Sequence, residues 1–434
     1  MRWRFLSRMS AVLSVSMVSL ACGSSDQDGV HTDGVAPSVA GSGAAGEASL
    51  GAAGASTQPA SAGMPATSAP GLGPAAGQGA AAAADATATP AGAAGAPAAG
   101  SGAMGPVDVQ RVLTDARQIF WALPASFDSP MHTVTEEKIT LGRQLYYEKR
   151  LSKNHDLSCN SCHDLAHYGV DAREPIGPTS RGHKDQLGGR NSPTTYNAAG
   201  HVAQFWDGRA ADVEAQAQGP VLNPVEMALA SAEQAVTVLK SIPGYAPLFA
   251  AAFPGEADPI TFENAANAIG AFERKLVTPG RFDAFLMGQL DALTMPEIEG
   301  LLLFQTSACA ACHGGAELGG AHYRKLGVMK EYPSMDMGRY EVTMQETDRH
   351  FFKVPGLRNI EKTGPYFHDG SVTTLEQAVR LMGEYQTAKG ALSDAEVASI
   401  VAFLRALTGE LPTDYIQEPA LLPSGPDTPA PDPS

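Results

Sequence analysis

Two short stretches decide the fold: CNSCHD at Cys159–Asp164 and CAACHG at Cys309–Gly314. Each contains a CxxCH motif, in which two thiols add to the vinyl groups of one haem and the next histidine ligates its iron. A zinc site would need four converging thiolate or imidazole ligands, and a thioredoxin-like CxxC would need a βαβ context. The motifs therefore predict two covalently bound c-type haems, attached through Cys159, Cys162, Cys309 and Cys312, with His163 and His313 as proximal iron ligands.

The cysteine count supports this interpretation. The chain of 434 residues has five cysteines, and four of them lie in the two motifs. The fifth is Cys22, so none is left for a structural disulfide, although an exported protein could form one.

Residues 1–21 are typical of an export signal. Arg2, Arg4 and Arg8 precede an apolar run that is too short to cross a bilayer comfortably. The run ends in VSLAC, which resembles the lipobox of bacterial lipoproteins, so we expect lipid attachment at Cys22. An ordinary signal peptide or an uncleaved anchor helix is the alternative. Because no Asp follows Cys22, the pattern favours the periplasmic face of the outer membrane.

Low-complexity segments flank the foldable part of the chain. Residues 22–107 are rich in Ala, Gly, Ser, Pro and Thr, which predicts a disordered tether because few large apolar side chains offset the chain entropy. Residues 416–434 are Pro-rich and predict a disordered tail. Between them, one CxxCH falls in residues 108–280 and one in residues 281–415, so we expect two domains.

The charge and the hydropathy of the chain argue against a nucleic-acid-binding surface and against a membrane-spanning segment. The formal charge of −16 argues against a nucleic-acid-binding protein. After the signal, no segment is apolar enough to predict a membrane span.

Capping residues and helical periodicity predict a mainly α fold. Thr294 with Glu297, and Ser393 with Glu396, form capping-box patterns before apolar residues at helical spacing. We expect the second of these helices to end at Gly409. The stretches TEEKITLGRQLYYE, SAEQAVTVLKSIPGY and ITFENAANAIGAFERKL also have helical patterns. Helices around each CxxCH, with few strand signals, predict two cytochrome c-type domains.

The sixth coordination position of each iron decides between electron transfer and chemistry. Two strong protein ligands favour an electron carrier, whereas a releasable position lets a substrate bind. Several further histidines and methionines are candidate ligands, and composition and spacing leave the assignment open.

From about Leu123 to Gly409 the chain resembles the bacterial di-haem cytochrome c peroxidases. The resemblance rests on LSCNSCHDLAHYGVD, on GGRNSPTTYNAAGHVAQFWDGRAADVEAQAQGPVLNPVEM and on FKVPGLRNIEKTGPYFHDGSVTTLEQAVRLMGEYQ. It implies that the N-terminal haem is a low-potential site that cleaves hydrogen peroxide. The C-terminal haem would then accept electrons from a small c-type cytochrome or a cupredoxin. Members of this family commonly form homodimers.

The resemblance also implies two axial ligands. His183 in SRGHKDQLGGRN matches the histidine that ligates the peroxidatic iron at rest and leaves on activation, and its Gly-rich surroundings suit such movement. Met382 in VRLMGEY matches the axial methionine of the electron-entry haem, where a thioether raises the potential. Related enzymes that oxidise a protein's own tryptophans carry tyrosine at this place.

Further matches imply catalytic residues and a metal ion. Glu226 in NPVEM would transfer a proton between the two peroxide oxygens, and Gln216 in VEAQA would orient peroxide by hydrogen bonding. Trp206 in FWDGR matches the tryptophan that lies between the two haems.

Asn191, Thr363 and Pro365 match the interdomain calcium site of the family, with a side-chain amide and two backbone carbonyls as oxygen ligands.

The expected function is therefore reduction of hydrogen peroxide to water by an exported di-haem enzyme. A di-haem electron-transfer protein and a protein-modifying di-haem oxidase are the alternatives.

Overall fold

The computed structural model describes residues 107–434, and this part of the chain is mainly helical, as predicted. The predicted signal peptide, Cys22 and the tether up to residue 106 lie outside the described residues. The α-helices are α1 (Val109–Ala116), α2 (Glu136–Tyr146), α3 (Cys159–Cys162), α4 (Val213–Leu222), α5 (Ala232–Lys240), α6 (Tyr245–Ala252), α7 (Phe262–Glu273), α8 (Arg281–Leu286), α9 (Met295–Thr306), α10 (Tyr340–Thr343), α11 (Leu375–Gln386) and α12 (Asp394–Arg405). Two short antiparallel strands, β1 (Tyr323–Lys325) and β2 (Phe351–Lys353), pair with Tyr323 opposite Lys353.

The predicted helices form where the caps placed them. Thr135, Ser231, Thr261 and Ser393 each accept a hydrogen bond from a backbone N–H in the first turn of α2, α5, α7 and α12. The Thr294–Glu297 capping box also forms at the start of α9. These five helices confirm the predictions from sequence.

The expected end of α12 at Gly409 is wrong. The helix ends at Arg405, and Gly409 forms an isolated bridge with Gly280. A Cβ atom at Gly409 would overlap the carbonyl oxygen of Thr278, so this glycine allows close approach of two backbones rather than a helix cap.

Two hydrophobic cores organise the described chain. The first contains buried residues of α2, α4, α5, α6 and α7, and the second contains those of α1, α8, α9, α11 and α12. Each core lies beside one CxxCH motif, and Cys159 and Cys309 each pack against the core of their own half. This arrangement agrees with two cytochrome c-type domains.

A glycine lets the main helix pair of each core cross closely. A Cβ atom at Gly142 of α2 would overlap the carbonyl oxygen of Ala268 in α7. In the same way, a Cβ atom at Gly300 of α9 would overlap the carbonyl oxygen of Ser399 in α12. Both close crossings occur in the helix that precedes a CxxCH motif.

The domain boundaries differ from the expectation at the start of the described chain. Residues from 108 were assigned to the N-terminal domain, but the apolar face of α1 packs in the second core, with Val112, Leu113 and Ala116 fully buried there. The amphipathic pattern of α1 predicts that one face of the helix is buried. It does not predict which of the two cores buries that face.

The prediction of a disordered tail is also wrong. Residues 416–434 lie in an extended path along the first domain. Ile416 is buried in the first core and Leu422 packs against it. The Arg150 guanidinium donates to the Leu422 carbonyl at 2.9 Å and to Ser424 Oγ at 2.9 Å. Arg150 of the first domain therefore donates hydrogen bonds to polar groups of the tail. The Pro-rich composition of the tail does not predict these contacts.

Within the described residues, no single helix is long and apolar enough to cross a membrane. Only α5 and α6 taken together pass a test of length and hydropathy, and they are bent by 112° relative to each other.

Candidate functional site

The second CxxCH motif lines a cavity of about 350 Å³ whose wall includes residues of both halves of the chain. Cys309, Cys312 and His313 lie on its wall, and Met382 of α11 also lines it. Apolar side chains that include Phe304, Leu357, Val379 and Leu404 form much of the remaining wall. Two thiols, an imidazole and a thioether thus line one largely apolar space.

His313 is held for ligation through one nitrogen. Its Nδ1 lies 3.0 Å from the carbonyl oxygen of Leu318, which leaves Nε2 for a metal. Burial lowers the pKa of His313 to about 4, so the imidazole is neutral, as a ligand must be. Arg358 supports the loop by donating from Nε to the Ala316 carbonyl at 2.8 Å and by a bidentate pair with Asp283.

The donor set fits a c-type haem. The Ser307 hydroxyl is buried on the cavity wall with no hydrogen-bond partner in the described chain, which indicates that a ligand completes this space. His313 and Met382 would hold the haem iron, and the haem would supply redox chemistry when bound.

The first CxxCH motif forms the short helix α3. Ser158 and Ser161 make a capping box around it. His163 places its Nδ1 3.3 Å from the Gly169 carbonyl oxygen, and the Tyr146 hydroxyl donates to the His163 carbonyl at 2.8 Å. Burial lowers the pKa of His163, so this ring is also neutral and presents Nε2 as a ligand.

Glu226 lies in the turn that follows α4, where its backbone N–H donates to the Asn223 carbonyl. Asn223 Nδ2 donates to Glu226 Oε1 at 2.9 Å. Burial raises the pKa of Glu226, while Arg209 and the Asn223 hydrogen bond oppose that shift. Burial raises the pKa of the Cys162 thiol to about 11, Arg173 opposes that shift, and the charges of Asp171 and Glu226 add to it. A partly buried carboxylate of raised pKa therefore acts electrostatically on a cysteine of the first motif.

The His183 loop packs directly on this turn. The His183 backbone N–H donates to the Val225 and Glu226 carbonyl oxygens at 3.0 and 2.8 Å. Lys184 and Asp185 have φ values of 56° and 57°, so both lie in the sparsely populated left-handed region. The buried His183 ring places Nε2 3.3 Å from the Ser434 carbonyl oxygen.

Gln216 lies in α4, ten residues before Glu226 in the chain. No side-chain hydrogen bond of Gln216 occurs within the described residues, and nothing joins it to Glu226 directly. Helix α4 itself is fixed by a buried bidentate pair, in which Arg274 Nε and Nη2 donate to Glu214 at 2.7 and 2.8 Å.

Trp206 lies where the two halves of the chain meet. Its Nε1 donates to the Asn191 carbonyl at 2.9 Å, and its own carbonyl accepts from the Lys353 backbone N–H at 2.8 Å. Its ring centroid lies 6.4 Å from that of His368 in an edge-to-face arrangement. Trp206 also lines the cavity of the second motif.

The three predicted calcium ligands lie together at this seam. Asn191, Thr363 and Pro365 line one cavity, and Asn191 Nδ2 donates to the Pro365 carbonyl at 2.7 Å. In this orientation the amide nitrogen faces the carbonyl oxygen, so a cation would require the amide to turn by 180° and present its oxygen.

Comparison with known proteins agrees with this geometry. The family model for di-haem cytochrome c peroxidase matches residues 136–291, and the model for cytochrome c matches residues 298–408. Cytochrome c551 peroxidase of Nitrosomonas europaea is 47% identical over 306 residues, which cover 69% of this chain and 89% of that protein. Cytochrome c551 peroxidase of Pseudomonas aeruginosa is 44% identical over 305 residues, which cover 69% of this chain and 86% of that protein. The chain belongs to the di-haem cytochrome c peroxidase family.

A solved structure has the same fold as this family member. The crystal structure of a MauG-like protein associated with microbial copper homeostasis matches with a TM-score of 0.61 and 29% sequence identity. The match covers 68% of this chain and 97% of that chain. Each of the two segments matched by the family models contains one CxxCH, which supports two c-type haems in this peroxidase-family chain.

Sequence reasoning missed three charged residues of these sites. Arg209 acts on Glu226 and stacks with its guanidinium carbon 3.4 Å from the Phe205 ring centroid. Arg173 Nη2 donates to Cys162 Sγ at 3.3 Å, and Lys353 is buried on the second cavity wall. All three occur in the stretches between or beside the motifs, but no spacing rule marks them as functional.

Proposed function

We propose that this chain reduces hydrogen peroxide to water with two electrons drawn from a small redox protein. The observation that carries the proposal is the placement of Glu226, a partly buried carboxylate of raised pKa in the turn on which the His183 loop packs through two backbone hydrogen bonds. General acid–base residues need such a position and such a pKa.

Glu226 would transfer the proton that the reaction must move. Peroxide takes up two electrons and two protons and yields two water molecules when its O–O bond breaks. The Glu226 carboxylate would accept a proton from one peroxide oxygen and return it to the other, which leaves as water. Gln216 would orient the peroxide by a hydrogen bond.

His183 would control access to the first iron. At rest its Nε2 would ligate the iron, and its departure would leave a position for peroxide. The left-handed Lys184 and Asp185 next to it, and the backbone hydrogen bonds to the Glu226 turn, support a loop that links ligand release to the acid–base residue. Ligation through Nε2 requires the contact with the Ser434 carbonyl to break.

The second haem, with Met382 as a ligand, would pass electrons from the donor to the first haem by way of Trp206. A methionine ligand raises the potential of the second haem, which suits the entry point for electrons. Trp206 lies at the seam and lines the second cavity, which supports a role in transfer between the haems. Met382 also argues against a protein-modifying oxidase, because those related enzymes carry tyrosine at the matching position.

Calcium is proposed at the seam with Asn191, Thr363 and Pro365 as protein ligands. The cluster offers only uncharged oxygens, so waters would complete the coordination shell. A calcium ion there would couple the two halves of the molecule.

We propose further that the protein is exported to the periplasm and anchored to the outer membrane through lipid on Cys22. Its electron donor would be a small c-type cytochrome or a cupredoxin, and its assembly a homodimer.

The proposed function is tested by peroxide turnover of the full chain with a reduced small c-type cytochrome as donor. We expect Glu226→Gln to retain both haem spectra and to lose about 10²–10⁴-fold in turnover, the usual contribution of a general acid–base residue. The matched control is Glu233→Gln, which changes an exposed glutamate in the first turn of α5. Equal turnover by wild type and Glu226→Gln would contradict the assigned residue. No turnover by either, with both haems reducing and reoxidising normally, would favour an electron-transfer protein.

A further inference from the structure

Lys353 is a buried cation that has no acidic partner in the described chain. It ends β2 with 7% of its surface exposed. Its backbone N–H donates to the Trp206 carbonyl, and its Nζ lies 3.2 Å from His201 Nδ1. Among residues 107–434, no carboxylate forms an ion pair with it.

His201 does not compensate this charge. Cβ atoms at Gly320 and Gly356 would overlap its ring, so the imidazole is held closely between two glycines. Burial and the nearby Lys353 lower the pKa of His201 well below its usual range. The ring is therefore neutral and accepts one hydrogen bond from the ammonium, which orients Lys353 without neutralising it.

A buried ammonium without an anion is energetically costly. Burial lowers the pKa of Lys353 to about 8, and no acidic group opposes that shift. Buried charges in proteins are generally paired, and Lys353 lacks such a partner because Glu317, the buried carboxylate on the same cavity wall, forms no ion pair with it.

The cavity shows where such an anion would be. Lys353 lines the same wall as Cys309, Cys312, His313 and Met382, whereas the cysteines of the first motif do not line this cavity. The other two cationic side chains on this wall are either paired with a carboxylate or exposed to solvent. Arg358 forms its bidentate pair with Asp283, and Arg324 is exposed.

We propose that Lys353 binds a propionate carboxylate of the haem attached at Cys309 and Cys312. The haem periphery carries two such carboxylates, and an ammonium in a low-dielectric cavity is a suitable partner for one of them. His201 is then a positioning residue that directs the ammonium into the cavity. This inference rests on haem attachment and not on peroxide reduction, so it stands or falls separately from the proposed function.

The charge has a predictable effect on the iron. A cation near the haem favours the ferrous state, which carries one positive charge less than the ferric state. Lys353 therefore adds to the effect of a methionine ligand and raises the potential of the electron-entry haem.

Redox titration of the full-length holoprotein, followed by the haem spectra, tests this proposal. For Lys353→Met we expect the equilibrium constant for reduction of the second haem to fall about tenfold, which is 59 mV for one electron. We expect Lys353→Arg to restore it to within about twofold, because the guanidinium keeps the charge. The matched control is Lys325→Met, which removes an exposed lysine from the paired strand β1.

Equal potentials for Lys353→Met and Lys325→Met would overturn the proposal. If Lys353→Met does not retain its haem, a crystal structure of the wild-type holoprotein decides. An Nζ-to-propionate distance of about 2.7–3.2 Å supports the proposal. A distance beyond hydrogen-bonding range, with the ammonium bonded elsewhere, refutes it.

Discussion

Arg209 sets the pH range in which Glu226 can act as a base. Burial raises the pKa of Glu226, and Arg209 is the main charged group that opposes this shift. As the proposed base, Glu226 must be ionised to accept a proton from peroxide, so we expect activity to be lost as the pH falls through its pKa. We therefore expect the arginine to extend activity toward acidic pH.

We predict that Arg209→Met moves the acidic limb of the pH profile to higher pH. Without the guanidinium, the pKa of Glu226 rises further, and the ionised form is lost at a higher pH than in the wild type. The measurement is kcat/KM for peroxide as a function of pH, which reports the free enzyme. Arg209→Lys is the control, because it keeps the charge. Superimposable profiles for Arg209→Met and wild type would show that Arg209 does not act on the base.

At the residue scale, the sequence predicts the groups that are adjacent in the chain. Each CxxCH places two thiols and one imidazole within five residues, so both attachment sites could be predicted directly. Lys353 and His201 are 152 positions apart, and only the fold brings them together. A lone lysine or arginine has no local pattern that separates a buried functional cation from a solvated one.

The crossing of α9 and α12 depends on the missing side chain of Gly300. A Cβ there would overlap a backbone oxygen of Ser399, which cannot rotate away as a flexible side chain can. We predict that Gly300→Ala lowers the free energy of unfolding by about 1–3 kcal/mol, as overpacking usually does. The midpoint of thermal unfolding measures this effect. Glu299→Ala changes the exposed neighbour in the same helix and should be nearly neutral; similar midpoints for both variants would contradict the prediction.

The tail stabilises the first domain from outside. Residues 416–434 cover part of its core and accept hydrogen bonds from Arg150 and Gln144. We predict that deleting residues 417–434 lowers the free energy of unfolding by about 1–3 kcal/mol, because these hydrogen bonds and the Leu422 contact are lost. Thermal unfolding followed at each haem measures the effect, with the second haem as internal reference. Rapid proteolytic removal of the tail without any change in unfolding would contradict it.

At the element scale, caps and periodicity predict helices but not their partners. Helices α2, α5, α7, α9 and α12 start at the residues that their caps indicate. Helix α1, predicted in the N-terminal domain, packs in the second core, and the tail, predicted to be disordered, packs on the first; each buries apolar residues in the other half of the chain. Such an exchange depends on the three-dimensional position of both cores, which amphipathic patterns do not encode.

The two halves share one plan but hold the residues proposed as their outer iron ligands differently. Each has a close helix crossing followed by a CxxCH. Met382 belongs to the regular helix α11, whereas His183 lies in a short loop with two left-handed residues beside it. A ligand on a loop can leave its iron more easily than one on a packed helix, so the plan suits one reactive haem and one permanent electron carrier.

Asn191 links the two halves at the whole-molecule scale. Its carbonyl accepts from Trp206, its backbone N–H donates to the His368 carbonyl at 2.8 Å, and its side chain contacts Pro365. We predict that a calcium chelator lowers peroxide turnover without loss of either haem, and that added calcium restores it. Asn191→Ala should have low turnover that no longer responds to calcium. Full activity after exhaustive chelation would contradict a role for calcium in turnover.

The central claim is that one haem reacts with peroxide while the other supplies the second electron. The most direct test is a stopped-flow reaction of the fully reduced, full-length protein with one equivalent of hydrogen peroxide under anaerobic conditions, with both haem spectra recorded. We predict that one peroxide oxidises both haems, and that Glu226→Gln slows this reaction by about 10²–10⁴-fold. If the haems stay reduced, or if only the haem on Cys309 and Cys312 is oxidised, the division of labour between the two CxxCH motifs is contradicted.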